Sequence, residues 1–392
     1  MLSLYRYTHF SSGRDPIDID YLNSFYKEVS SPILESYFRA EVHGCDNIPK
    51  SGPVILASNH SGNAFPHDSF ALDQLLWKHF DFSTKDKIRP LYSPKLAVTW
   101  WMRPFGLDNW WRLFGAIDQT YINFVRVLEK GGRVIYYPEG IPGIGKGFNR
   151  KYKLQPFQPS FIKLASRHNI PVVPVYGVNA EWINPANLTF KWLNNLSSRW
   201  LGIPFIPIPL ILLAILFPFF FYFAFPCNMK FFIGKPVSIR ELLTKKSTHT
   251  TPDNPTKNEA TEAAEVIRES MQKELDGLVK THGNRPYNWK SLLSAFKIRT
   301  GKRLLTTPFG WPVLYTRHYR DYFDKKDKRK KTSRLKRDWD LIGYYLPFGW
   351  IFLSLARAFR KPPYGNYGLD KHEQIKKEGS YVWSLAKEEK DT

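Results

Sequence analysis

Cysteine is nearly absent from this sequence. Cys45 and Cys227 are the only two in 392 residues, too few for a disulfide framework. Neither belongs to a C-x-x-C pair or a Cys/His cluster with metal-ligand spacing, so a stapled scaffold and a structural zinc site are excluded and a reducing compartment is expected. Negative charge is also short: 35 acidic residues face 57 basic ones, a formal net charge of +22. The opening stretch, MLSLYRYTHFSSGRDPIDID, is interrupted by charge after a few residues, so neither a signal nor a transit peptide is expected there. Asn187-Leu-Thr and Asn195-Leu-Ser fit the glycosylation pattern, but with no secretion signal they read as chance matches.

What is abundant is aromatic. Trp, Tyr and Phe make up 16% of the residues and apolar types 43%, enough for a substantial core in one large domain or two smaller ones. A basic surface mixed with aromatic rings points to a polyanionic partner, either nucleic acid or anionic lipid headgroups. No nucleic-acid recognition motif accompanies the charge, so nucleic acid is not expected. Along the chain, short β-branched or aromatic runs alternate with segments of helical pattern. Residues 54–58, 89–93, 133–137 and 172–176 read as strands, and 70–80, 119–130 and 159–168 as helices. This alternation predicts an α/β layer structure with a largely buried sheet, whose active site collects at the carboxyl ends of strands.

Two loops stand at such ends. The first, LASNHSGNAFPHDSF (56–70), carries His60, His67 and Asp68 among Gly, Pro and Asn. Histidine suits proton transfer near neutral pH, and a carboxylate on its second nitrogen would fix the tautomer and stabilise the imidazolium. The competing reading is a polar turn in which Asp68 caps a helix starting near Ser69. The second loop follows the strand in GGRVIYYPEGIPGIGKGFNRKYKLQ, where Pro138-Glu139-Gly140 leads into a run with Lys146, Arg150, Lys151 and Lys153. Glycines let backbone amides approach an anion and cations neutralise it, so the run suits a phosphate; the alternative is a solvated basic loop.

With ILASNHSG, then FGAIDQTYINFVRVLEKGGRVIYYPEG, then IPVVPVYG, the chain resembles the phospholipid and glycerol acyltransferase family, the lysophosphatidate-acyltransferase-like enzymes, over residues 38–236. The resemblance implies a glycerolipid acyltransferase fold: α/β, with a mixed, largely parallel central sheet flanked by helices. It implies that His60 is the general base deprotonating an acceptor hydroxyl, with Asp68 as its acid partner and no covalent acyl-enzyme. Asn59, Gly115, Pro138, Glu139 and Gly140 would form the substrate-binding blocks, Gly115 bringing backbone close to the acceptor. The chain departs from the family in two places. Four residues separate histidine from aspartate in the family block, which would put the acid at Phe65; here seven intervene before Asp68. Ile141-Pro142 replaces the Thr-Arg that commonly follows P-E-G, and Lys146, Arg150 and Lys153 are the substitutes expected to hold a phosphate. The acyl donor implied is acyl-coenzyme A or acyl-carrier protein, with no cofactor beyond it.

No charged residue occurs from Leu201 to Met229. That length suffices to span a bilayer, but Pro204, Pro207, Pro209 and Pro218 break it, so a monotopic or re-entrant membrane-contacting insertion is expected rather than one straight helix. Residues 245–258 read as a flexible loop, and a helix is predicted from Glu259 to Thr281 with Ala263, Ile267, Met271, Leu275 and Leu278 on one side. The divisions expected are a helical lead-in (1–37), an acyltransferase domain (38–283) and a basic, aromatic extension (284–392). In the extension, KKDKRKKTSRLKR (325–337) has nine basic residues and one acidic beside an uncharged aromatic run. That pairing reads as an anchor on an anionic membrane, here the cytoplasmic face. The leading functional expectation is acyl transfer to a lysophospholipid or glycerol-phosphate acceptor; acyl transfer to a neutral lipid and a non-catalytic membrane scaffold are the alternatives. Oligomeric state is not legible.

Overall fold

The structure is a computed structural model that describes residues 17–62, 65–83, 85, 87–92, 110–201, 205–246, 253–298, 306–326 and 333–358. Seven strands form one sheet: β1 (Glu41–His43), β2 (Val54–Ser58), β3 (Ile88–Tyr92), β4 (Ile117–Asp118), β5 (Arg133–Tyr136), β6 (Val172–Val178) and β7 (Lys230–Ile233), in the order β1-β7-β6-β2-β5-β3-β4. Pairing is parallel throughout except between β6 and β7. Every residue of β2, β5 and β6 is buried, the pattern of strands covered on both faces, which is why they read as continuous apolar runs rather than alternating ones. The mixed, largely parallel sheet and its strand positions agree with the sequence reading to within a residue or two at most ends.

Helices cover both faces. In chain order we name α1 (Ile19–Phe25), α2 (His67–His79), α3 (Tyr121–Glu129), α4 (Ser160–Arg167), α5 (Lys191–Leu201), α6 (Leu210–Leu216), α7 (Lys257–His282), α8 (Trp311–Lys326) and α9 (Gly349–Ala358). α7 starts with a capping box, Thr256 and Glu259 bonding reciprocally. It buries Ala263, Ile267, Met271 and Leu275 against one side of the sheet. The opposite side packs α1, α2 and α8 together. Tyr21, Phe25, Phe70, Trp311, Tyr315, Leu341 and Tyr344 share that core.

This packing joins segments on both sides of the expected divisions. Within the described part of the C-terminal extension, Trp311, Tyr315, Tyr319 and Tyr344 are buried and pack with the N-terminal lead-in, while Trp289 and Trp339 stay exposed. In the basic run, Arg337 pairs with Asp321 and Asp338, and Arg334 with Asp321, so its C-terminal end is partly neutralised. Residues 327–332 of the run, 247–252 of the expected loop and 359–392 lie outside the described residues.

The apolar stretch 201–229 breaks at its prolines into α6 and a short 3-10 turn, Pro218–Tyr222. Among the described residues no helix is long and apolar enough to cross a membrane.

Candidate active site

Because β2, β3, β4, β5 and β6 run parallel, their carboxyl ends open on one edge of the sheet, and the loops after them meet there. Past the end of β2, the Asn59 amide takes over the ladder: Nδ2 donates to the Gly177 carbonyl at 3.2 Å and Oδ1 accepts from the Gly177 N–H at 2.7 Å. One residue on, the His60 N–H donates to Glu139 Oε1 at 2.8 Å, while Glu139 Oε2 accepts from the Gln155 N–H at 2.7 Å. Asn59 and the fully buried Glu139 therefore hold the loop around His60.

The loop delivers His60 against Asp68, with Nδ1 3.5 Å from Oδ2 and both groups buried. Seven intervening residues are accommodated because α2 starts at His67, after Pro66, and carries Asp68 in its first turn. The side chain of Asp68 does not cap that helix; it accepts the Ser61 N–H at 2.8 Å. Burial pushes its carboxyl up, but His60 and the N–H groups of Ser61 and Ser69 outweigh burial and hold it below the usual carboxylate range. The positive end of α2 favours the same charged form. Phe65, at the family's aspartate position, is buried beside Trp111 and Tyr222. His67 is likewise enclosed by Phe38, Phe65 and Trp311, and burial lowers its pKa to about 3, which keeps it neutral. Of the two histidines, only His60 lines the cavity described next.

The His60 ring stacks on Tyr137 with centroids 4.0 Å apart and planes 14° apart, a contact that no sequence motif announced. Beyond it lies a cavity of about 520 Å³, within the usual size of small-molecule pockets. Pro66, just before α2, and Ser69, Phe70 and Asp73 within it line one side at helical spacing. α6 contributes Leu210, Ile211 and Ala214. Thus part of the stretch expected to contact a membrane roofs this cavity instead, and its outer face remains exposed.

The remaining expected site residues fall elsewhere. Gly140 lines the cavity, whereas Pro138 does not and serves through its carbonyl, which accepts the Gln158 N–H at 2.9 Å. Gly115 is glycine because its φ is +81° and because a Cβ would strike the Ile17 side chain at 2.7 Å; its neighbours Phe114 and Ala116 face the cavity. Lys146 is fully buried with its Nζ 3.5 Å from Glu181, itself fully buried. Arg150 donates to the carbonyls of Lys146 and Gly145 and to Thr189 Oγ1. Lys153 is exposed and outside the cavity lining. The cations expected to cradle a phosphate are thus committed to the fold or face away, because burying the loop forces its charges onto carbonyls and Glu181.

Gly62, two residues past His60, adopts φ +78°, and a Cβ there would meet Lys146 Cγ at 2.8 Å and the Gly147 N at 3.0 Å. Gly62→Ala is expected to cost roughly 1–3 kcal/mol for the left-handed backbone alone, visible as a lowered Tm. An unchanged Tm would show that the two loops are not held this tightly.

Part of the chain is similar to known proteins. Residues 39–178 match the model of the Acyltransferase family. An uncharacterized protein of Mycobacterium tuberculosis is 30% identical over 196 residues, 48% of this chain and 51% of that protein. Phytyl ester synthase 1, a chloroplastic protein of Arabidopsis thaliana, is 25% identical over 135 residues, covering 34% of this chain and 18% of that one. The chain spans about half the length of the mycobacterial relatives it matches. Among solved structures, the 1-acyl-sn-glycerophosphate acyltransferase PlsC of Thermotoga maritima is similar at 16% identity and a TM-score of 0.36, over 65% of this chain and 79% of that one.

Proposed function

We propose that this protein is an O-acyltransferase that moves a fatty acyl group from a thioester, acyl-coenzyme A or acyl-carrier protein, to the hydroxyl of a lipid acceptor. The observation that carries the reading is the buried His60–Asp68 pair, whose histidine stands on the wall of an apolar cavity. With Nδ1 facing the Asp68 carboxylate, the imidazole proton sits on Nδ1 and Nε2 is the basic nitrogen. Nε2 takes the acceptor's hydroxyl proton as the oxygen attacks the thioester carbonyl carbon. The tetrahedral intermediate then collapses, the C–S bond breaks, and the departing thiolate receives the proton held on His60. Asp68 stabilises the imidazolium between the two transfers.

A phospholipid-type acceptor with a phosphate headgroup follows from the sequence resemblance, with a role in phospholipid synthesis or remodelling. One observation favours the neutral-lipid alternative: among the described residues lining the cavity there is no lysine or arginine. Mass-spectrometric detection of acyl transfer from palmitoyl-coenzyme A to lysophosphatidate, monoacylglycerol and a long-chain alcohol tests the reaction and ranks the acceptors. Failure with every acceptor and with both thioester types would sink the reading and leave a membrane scaffold.

Association with a membrane surface is part of the proposal. On α5, Trp192, Leu196 and Trp200 recur at helical spacing and are exposed, Trp200 by 76%. On α6 the outer residues Leu212, Leu213, Ile215 and Leu216 are exposed, and the Phe348 N–H bonds to the Leu216 carbonyl, bringing a further exposed ring beside them. Exposed apolar patches of this kind mark interaction surfaces, and Trp is favoured at the lipid–water boundary. Replacing Trp192 and Trp200 by serine is expected to reduce flotation with phosphatidylglycerol-containing liposomes several-fold; equal flotation of variant and wild type would remove this surface from the proposal.

A further inference from the structure

Asp73 is a polar group without an evident task. It is 2% exposed, lines the cavity on the same face of α2 as Ser69, and lies five residues beyond Asp68. Five residues of helix correspond to about 7.5 Å along the axis, so it stands apart from the His60–Asp68 pair. Its Oδ2 accepts from Gln74 Nε2 at 3.2 Å, but its Oδ1 has no hydrogen-bond partner among the described residues. The indole Nε1 of Trp77, one turn further on, approaches the carboxyl without reaching hydrogen-bond geometry and is itself unpartnered. An unsatisfied buried polar atom is destabilising, and an apolar side chain of similar size would have avoided that cost in a cavity built for a hydrocarbon. A ligand that supplies the missing partner accounts for the carboxyl.

The identity of that partner follows from the surroundings. Phe70, Phe114, Leu210 and Ala214 make the cavity apolar, so the body of the ligand is hydrocarbon. Burial pushes the Asp73 carboxyl well above its ordinary range, although Gln74, Trp77 and the Arg89 guanidinium pull the other way. A carboxyl oxygen accepts a hydrogen bond in either protonation state. A phosphate or carboxylate would leave its charge in an apolar cavity that has no lysine or arginine among its described lining residues. An alcohol is neutral and also donates and accepts.

We propose that Asp73 is a specificity-determining residue that hydrogen-bonds a hydroxyl on an otherwise apolar chain, several carbons from the atom reacting at His60. The inference rests on the acyltransferase reading and deepens it. One chemistry, a second hydroxyl on a long chain, has two sources: a hydroxylated acyl group on the donor or a further hydroxyl on the acceptor.

The test compares kcat/KM for matched pairs with wild type, Asp73→Asn and Asp73→Leu. In the donor arm, hydroxypalmitoyl-coenzyme A with an in-chain hydroxyl is set against palmitoyl-coenzyme A. In the acceptor arm, a long-chain diol is set against the corresponding mono-alcohol. The expected result is a wild-type preference of roughly 5- to 100-fold for the hydroxylated member of one pair, retained in part by Asp73→Asn and abolished by Asp73→Leu. The arm that responds identifies the source. Because Asp73→Leu also strands the buried Gln74 Nε2, each variant's Tm and its kcat/KM for the unhydroxylated member of the pair are measured alongside; preference lost while both are retained separates lost recognition from lost folding.

Quenching of intrinsic fluorescence, to which Trp111 in the cavity wall contributes, reports binding of hydroxylated and plain long-chain alcohols and fatty acids independently of turnover. Selective binding without turnover would uphold Asp73's role while overturning the acyltransferase reading. Absence of any hydroxyl preference in wild type, or a preference unchanged in Asp73→Leu, would overturn the proposal itself.

Discussion

Replacing His60 by alanine is expected to lower kcat for acyl transfer by about 10²- to 10⁴-fold, the usual contribution of a positioned general base, while Tm changes little. The loop survives the substitution because its anchors are elsewhere: the backbone N–H of residue 60 still donates to Glu139, and Asn59 still spans to Gly177. Asp68→Asn is the companion measurement. An amide in place of the carboxylate presents an N–H as well as a carbonyl to the imidazole, so it no longer enforces the Nδ1–H tautomer or stabilises the imidazolium. Activity should fall in this variant too. The carboxylate also leaves a thermodynamic mark: its folded pKa is lowered, so its contribution to stability is present above the unfolded value of about 3.9 and is lost as pH falls through the folded value. Asp68→Asn should therefore flatten the acid limb of a stability–pH curve. Full activity in both variants would end the assignment of this pair.

The second large effect lies below the site. Lys146 and Glu181 are both fully buried and 3.5 Å apart. Burial raises the Glu181 pKa to about 7 against the pull of Lys146. Breaking such a pair by removing one partner costs about 3–5 kcal/mol, whereas replacing both by apolar residues is often neutral or stabilising. Lys146→Met should fall in that range near pH 8 and cost less near pH 5, because the abandoned carboxyl can take up a proton. For a carboxyl whose folded pKa is raised, the stability contribution is complete below its unfolded value of about 4.3 and is lost as pH rises through the folded value. The variant shifts that loss further upward in pH. The double substitution Lys146→Met with Glu181→Leu should recover most of the stability, as urea unfolding at the two pH values would show. A double variant as unstable as the single one, or a pH-independent single variant, would mean that the pair is not coupled as described.

The strands and the proximity of His60 to Asp68 were legible because each rests on local chemistry. β2, β5 and β6 are continuous β-branched or apolar runs bounded by Gly or Pro, and His60 with Asp68 follows such a strand within one loop and helix start. The extra length before Asp68 proved to be the short loop in which Phe65 and Pro66 precede α2. The fates of Lys146 and Arg150 were not legible, because a glycine-rich basic loop reads the same whether its cations face solvent or turn inward. What decides is Glu181, thirty-five residues further on, which only the fold brings to Lys146. The cavity was hidden for a related reason: its walls come from separated segments, and the stretch around Leu210 showed its apolarity without showing that two faces shared it. The spacing of Ser69, Phe70 and Asp73 along α2 was present in the sequence, but an aspartate on a helix reads as a solvated face until its neighbours are known.

α6 has seven residues that divide between two environments, with Leu210, Ile211 and Ala214 inward and Leu212, Leu213, Ile215 and Leu216 outward. So short a helix has no interior of its own to insulate one side from the other. With the outer side resting on lipid as proposed, lateral pressure in the surrounding leaflet bears directly on the roof of the chamber that receives the substrate chain. The length of chain accepted then becomes a joint property of the protein and of the membrane on which it works, and a stiffer or more fluid bilayer would retune the product spectrum without a single change in sequence.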